Sequence, residues 1–138
     1  MLTDPATTNR LTSSIIGCAI RVHRVVGPGL LESTYEACMA VELQELGLEL
    51  ERRKQVPLVY RGLHLPIAYQ LDMLVNGTVI LELKSVDAIA PIHVAQMLTY
   101  LRLTGCPVGL LLNFNVPVLK DGIRRIVTSQ SLDQNEEK

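Results

Sequence analysis

Asp72-Met73-Leu74-Val75-Asn76-Gly77-Thr78-Val79-Ile80-Leu81-Glu82-Leu83-Lys84 reads as two apolar strands joined by an Asn-Gly turn, with two acids and a lysine set into them. Side chains alternate along a strand, so Glu82 and Lys84 share one face while Leu81 and Leu83 share the other. Charged groups are rare in buried strands unless they are paired or bind a metal. Two acids and a lysine on one sheet face suit metal-dependent phosphodiester cleavage, which needs oxygen ligands for Mg²⁺ and a cation near the attacked phosphate. The alternative is a structural ion pair between Lys84 and a carboxylate. The residue types alone leave both open.

The Asn76-Gly77 turn sets the condition for the three charges to meet. A two-residue loop pairs Val75 with Thr78 and puts Asp72 and Glu82 on opposite faces. A three-residue loop, Val75-Asn76-Gly77, pairs Leu74 with Thr78 and makes Asp72 and Glu82 diagonal neighbours on one face, with Cβ atoms roughly 7–8 Å apart. The apolar set Leu71, Met73, Val75, Val79, Leu81 and Leu83 is the same in both registers, so the pattern does not choose between them.

Outward from this hairpin the chain reads as α-α-β-β-β-β-α-β-β. Leu11, Ile15, Ala19, Val22 and Val26 mark one face of a helix that Gly27-Pro28-Gly29 ends. Leu31, Tyr35, Met39, Leu43 and Leu46 mark a second helix, with Gly47 as its stop. Strands are expected over 48–54 and 56–61, Pro57 placing part of the latter at an edge, and then over 67–75 and 78–84. Pro91 opens a third helix that runs to about Thr104, with Gly105 beyond its end. Residues 108–114 form a buried strand and 122–127 a last short one. Antiparallel strands followed by a helical crossover predict an α/β fold, a central mixed β-sheet flanked by α-helices.

The 138 residues suit a single domain over 1–130, followed by a polar tail over 131–138 that is expected to be disordered. With 48% hydrophobic and 20% charged residues the composition is globular. No apolar run approaches the ~20 residues of a membrane helix. Asp4, Thr7, Thr8 and Asn9 stand where a signal peptide would be basic and then apolar, so a cytoplasmic location is expected. Cys18, Cys38 and Cys106 lack metal-binding spacing and read as reduced core thiols. The net charge of −1 argues against a strongly basic nucleic-acid binder. Arg21/Arg24, Arg52-Arg53-Lys54 and Arg124-Arg125 are clusters that could follow a phosphate backbone, although such clusters are usually solvated faces.

Asp72 followed by Glu82-Leu83-Lys84 resembles the signature of the PD-(D/E)XK nuclease superfamily, with Leu71 where the superfamily often has proline. Gly29-Leu30-Leu31-Glu32-Ser33-Thr34-Tyr35 is similar to the motif that names the GxxExxY family, a branch of that superfamily. Gln96-Met97-Leu98-Thr99-Tyr100 resembles the QxxxY motif of RecB-like nucleases. The resemblance implies a restriction-endonuclease-like core and a nuclease acting on nucleic acid, DNA before RNA. It implies that Glu32, Asp72 and Glu82 bind Mg²⁺ or Mn²⁺, with the Leu83 carbonyl as a further ligand. It implies that Lys84 activates the attacking water and that Gln96 holds the water or the phosphate, supported by Tyr100.

The residues themselves add that Glu32 sits where a helix N-terminus favours negative charge. Its i,i+4 neighbour Glu36 repels it, which a nearby cation would relieve. Tyr35 lies on the apolar stripe as well as in the motif. His93, one turn before Gln96, is a candidate for the same cleft, although a lone histidine there is more often structural. The rival expectation is a catalytically silent binding module on the same fold, acting with a nucleic-acid or protein partner. A homodimer is also compatible with the exposed edge strands.

Overall fold

A computed structural model describes residues 4–128, the side chains of residues 67 and 68 excepted. The polar tail over 131–138 lies outside the described residues. Helix α1 (Pro5–Val26) starts with Pro5 behind Asp4, whose carboxylate accepts the Thr7 N–H at 2.9 Å, satisfying a helix-end donor. Helix α2 (Glu32–Glu45) follows a short loop. Strands β1 (Leu50–Tyr60), β2 (Leu63–Val75) and β3 (Val79–Lys84) precede helix α3 (Pro91–Thr104), strand β4 (Val108–Asn113), a 3-10 turn (Leu119–Gly122) and strand β5 (Ile123–Val127).

The five strands lie in the order β1-β2-β3-β4-β5. All neighbours are antiparallel except β3 and β4, which α3 joins as a parallel pair, as a helical crossover requires. Against one face pack α1 and α2, through Ile15, Cys18, Ala19, Tyr35, Met39 and Leu43 onto Met73, Leu81, Leu83 and Leu110. On the opposite face Met97 and Leu101 of α3 pack on Leu71, Leu74, Ile80 and Leu111. The expected mixed sheet between helices is therefore present.

Three local expectations are corrected. The segments 48–54 and 56–61 form a single strand, because Gln55 pairs with Gln70 across the expected gap. Pro57 is accommodated at a register shift on an edge strand, where its missing N–H costs no ladder bond. Strand β2 starts earlier than residue 67, at Leu63, because Arg61 and Gly62 both take positive φ (53° and 80°) and close a two-residue hairpin from Tyr60 to Leu63. Leu31 and Leu46 flank α2 instead of joining its apolar face, and both are exposed.

The Asn76-Gly77 loop has three residues, but they are Asn76, Gly77 and Thr78, with Val75 paired to Val79. Both Asn76 and Gly77 have positive φ, which centres the turn on them, and Thr78 becomes the extra residue. The register runs from Val75↔Val79 to Met73↔Leu81. One step further, Asp72 faces Glu82 directly and not diagonally.

Candidate active site

The ladder between β2 and β3 gives way to side chains at Asp72 and Glu82. The Asp72 N–H donates to Glu82 Oε2 at 2.9 Å, and the Leu83 N–H donates to Asp72 Oδ2 at 2.8 Å. Each carboxylate thus occupies a backbone donor of the opposite strand, and the second oxygen of each is left for other partners. The strand distorts to allow it. Leu71 joins the α3-side cluster while Met73, two residues on, joins the α1/α2 side, although a regular strand would point both one way.

Around this pair the elements converge at the carboxyl ends of the parallel strands β3 and β4, a common place for sites in α/β sheets. Glu32, the first residue of α2, accepts the Ser85 N–H at 3.2 Å. Lys84 closes β3 opposite Asn113. The ion pairs among the described residues fall elsewhere, at Arg21–Glu42, Arg52–Glu36, Arg53–Glu36 and Lys54–Glu51. Lys84 is therefore not engaged in the close structural salt bridge that the sequence left open. A cavity of ≈ 220 Å³ beside Asp72 is lined by Glu32, Ser33, Glu36, Arg53, Gln70 and Leu83.

The electrostatics are those of crowded acids. Glu82 is buried, and burial together with the charge of Asp72 pushes its carboxyl up to about 8. Burial also raises the Asp72 carboxyl, while the Leu83 N–H and the charge of Lys84 pull it back. Glu32 adds to the repulsion on both. Tyr100 is raised by burial and by the fields of Glu82 and Asp72, and it packs edge-on to Tyr69 with centroids 5.9 Å apart.

The other candidates divide. Gln96 is exposed, one turn before Tyr100 on the same face of α3, and its side chain makes no hydrogen bond among the described residues. The packing puts α2 and α3, and with them Glu32 and Gln96, on opposite faces of the sheet. Tyr35 is fully buried, stacked on Phe114 at 4.3 Å. Its hydroxyl donates to Gly27 O at 2.6 Å and accepts the Leu30 N–H at 3.1 Å. It therefore pins the loop that presents Glu32 and cannot touch a substrate. Gly29, at φ 88°, makes the bend of that loop. His93 Nδ1 accepts the Ala90 N–H at 2.9 Å, which ties the imidazole to the start of α3. Among the described residues no group of three or more His, Cys, Asp or Glu side chains is placed to hold a metal ion. Glu32, Asp72 and Glu82 are thus near enough to repel one another but do not form a three-carboxylate cage.

Glu36 and Asn113 have roles at the site that the sequence reading did not assign. Glu36, 5% exposed, takes Arg52 Nε at 2.9 Å and Arg53 Nε at 3.6 Å. The cation relieving the Glu32–Glu36 repulsion is therefore an arginine pair from β1, signalled in the sequence by the Arg52-Arg53-Lys54 cluster. Asn113 is buried. It accepts the Val86 N–H at 3.1 Å and donates to Val86 O at 3.0 Å, fixing the loop after Lys84. An asparagine ending an apolar strand was its signal.

The comparison with family models matches residues 9–126 to the PD-(D/E)XK nuclease superfamily. The chain belongs to the PD-(D/E)XK nuclease superfamily. The matched span takes in every element except the first turn of α1 and the last residue of β5. The α/β architecture is the restriction-endonuclease-like core of that superfamily. Comparison with curated proteins and with solved structures gave no match. No helix among the described residues is long and apolar enough to cross a membrane.

Proposed function

We propose that this superfamily member is a divalent-metal-dependent nuclease that hydrolyses phosphodiester bonds of DNA, and that it lies in the GxxExxY branch. The observation that carries the reading is the Asp72–Glu82 pair, a buried and a half-buried carboxylate placed face to face with the charge of Lys84 beside them. Such a pair is costly without a cation. Mg²⁺ is commonly held by one or two carboxylates with waters completing its shell, so the donor set suits Mg²⁺ or Mn²⁺. Asp72 and Glu82 would hold it, helped by the Leu83 carbonyl, and the negative charge of Glu32 would add to its attraction. The bound ion lowers the pKa of a water and stabilises charge on the phosphate.

The chain's own groups do the rest. Lys84 orients the attacking water and offsets charge developing on a phosphate oxygen. Gln96 reaches the water or the phosphate from the α3 face, and Tyr100 supports it. Tyr35 holds the Gly27–Leu30 loop, and Asn113 holds the loop beyond Lys84, so both sides of the site are fixed before substrate arrives.

Incubation of the purified protein with single- and double-stranded DNA and RNA, in Mg²⁺, Mn²⁺ or EDTA, tests this. Cleavage is expected in metal only and lost in Glu82→Ala and Lys84→Ala. Cleavage that survives both substitutions would point to a contaminant. Metal and nucleic-acid binding without cleavage would favour the binding-module reading, in which the near-neutral charge is supplemented by a partner.

A further inference from the structure

Arg53 lines the cavity beside Asp72 and Glu32, and its backbone is unusual. It sits at φ 52° within β1, a left-handed conformation that residues with a Cβ seldom adopt and that tends to cluster at functional sites. Its neighbours Arg52 and Lys54 keep the ladder, paired with Met73 and Leu71. Consecutive strand residues normally point to opposite faces. Here Arg52 and Arg53 both reach Glu36, since the left-handed residue turns the second side chain to the side of the first.

The two arginines hold Glu36 unequally. A buried carboxylate requires a cation and hydrogen bonds, and Arg52 supplies them, its Nε–H donating to Glu36 Oε2 at 2.9 Å. Arg53 stands at 3.6 Å with a 60% exposed side chain, and its guanidinium makes no hydrogen bond among the described residues. Charge draws it over the cavity, and its donors are uncommitted. The left-handed residue thus sets beside the cavity a guanidinium held by charge alone, with no hydrogen bond among the described residues.

We propose that Arg53 binds the phosphate of the nucleic-acid strand in this cleft, and that Glu36 holds its guanidinium over the cavity between substrates. The inference rests on the nuclease reading and names the residue that grips the backbone. A cavity walled by Glu32, Glu36 and Asp72 repels a phosphodiester unless a cation faces its non-bridging oxygens. The planar fork of arginine matches those oxygens. When the phosphate takes over Arg53, Arg52 stays on Glu36, so no buried charge is stranded.

Fluorescence anisotropy with a labelled DNA oligonucleotide, in Ca²⁺ over a series of salt concentrations, tests it on the full chain. Arg53→Gly is the main variant, because glycine takes positive φ without strain and the fold is retained; Arg53→Lys keeps the charge. For Arg53→Gly the expected result is a roughly tenfold weaker Kd and a slope of log affinity against log salt shallower by about one. Arg53→Lys keeps the wild-type slope, and the melting temperature of Arg53→Gly does not fall. An unchanged slope for Arg53→Gly overturns the inference, whether or not its melting temperature drops. If wild type cuts DNA and Arg53→Gly keeps the slope, the Arg53 assignment alone fails. If wild type neither binds nor cuts any strand, the nuclease reading fails and takes this inference with it.

Discussion

Glu82 shows most directly how one residue's environment overrides its chemistry. Its carboxyl is pushed from 4.5 up to about 8 by burial and by the charge of Asp72. The metal-free folded protein therefore binds a proton there that the unfolded chain has released, over the window between those two values. Where the folded state holds more protons, stability falls as pH rises. Melting temperature in EDTA is accordingly expected to decline from about pH 5 to about pH 8. Glu82→Gln, which keeps an oxygen to accept the Asp72 N–H, should flatten that decline and melt higher than wild type at pH 8. Thermal melts across the range check it, and a wild-type decline left intact in the variant would place its origin in another group. Asp72, raised by burial, acts in the same direction.

At the scale of elements, the site depends on close approaches that leave no room for a side chain. A Cβ on Gly122, at the end of the 3-10 turn, would lie 2.1 Å from the Asn113 carbonyl oxygen, and a backbone atom cannot rotate away. Gly122→Ala is expected to destabilise by about 1–3 kcal/mol, the usual cost of overpacking, which urea denaturation would show as a lower midpoint with an unchanged m value. Because Asn113 also fixes the loop after Lys84, the substitution should disturb the site as well. The helices were legible because their apolar residues repeat at helical spacing and end at glycines: Gly105 takes the left-handed C-cap at φ 76° as its position after α3 predicts. The strands were less so. A two-residue alternation carries no information on where a partner strand begins, and Arg61-Gly62 lacks the Asn or Asp that usually signals such a turn.

For the whole molecule, the nuclease reading predicts linkage between cation and fold. Mg²⁺ or Mn²⁺ bound to the native state alone stabilises it by about 2.7 kcal/mol at a hundredfold excess over Kd. The gain in melting temperature should be larger at pH 8, where Asp72 and Glu82 are both charged more of the time, than at pH 6, and it should vanish in Glu82→Gln or on chelation. A gain that persists in the variant would place the ion elsewhere. What the sequence determined by itself was local and periodic: the three helices, the strand character of residues 67–75 and 79–84, the crossover that makes β3 and β4 parallel, and the acids and lysine at their spacing. The tertiary structure alone decided the register that sets Asp72 directly opposite Glu82. It also joined β1 into one edge strand, gave Arg52 and Arg53 to Glu36, buried Tyr35 as a loop clamp, and set α2 and α3 on opposite faces of the sheet. The division has a physical reason. Periodicity records which face of an element is buried, but pairing register and the meeting of charges depend on turn φ angles and on residues distant in the chain, which no local pattern encodes.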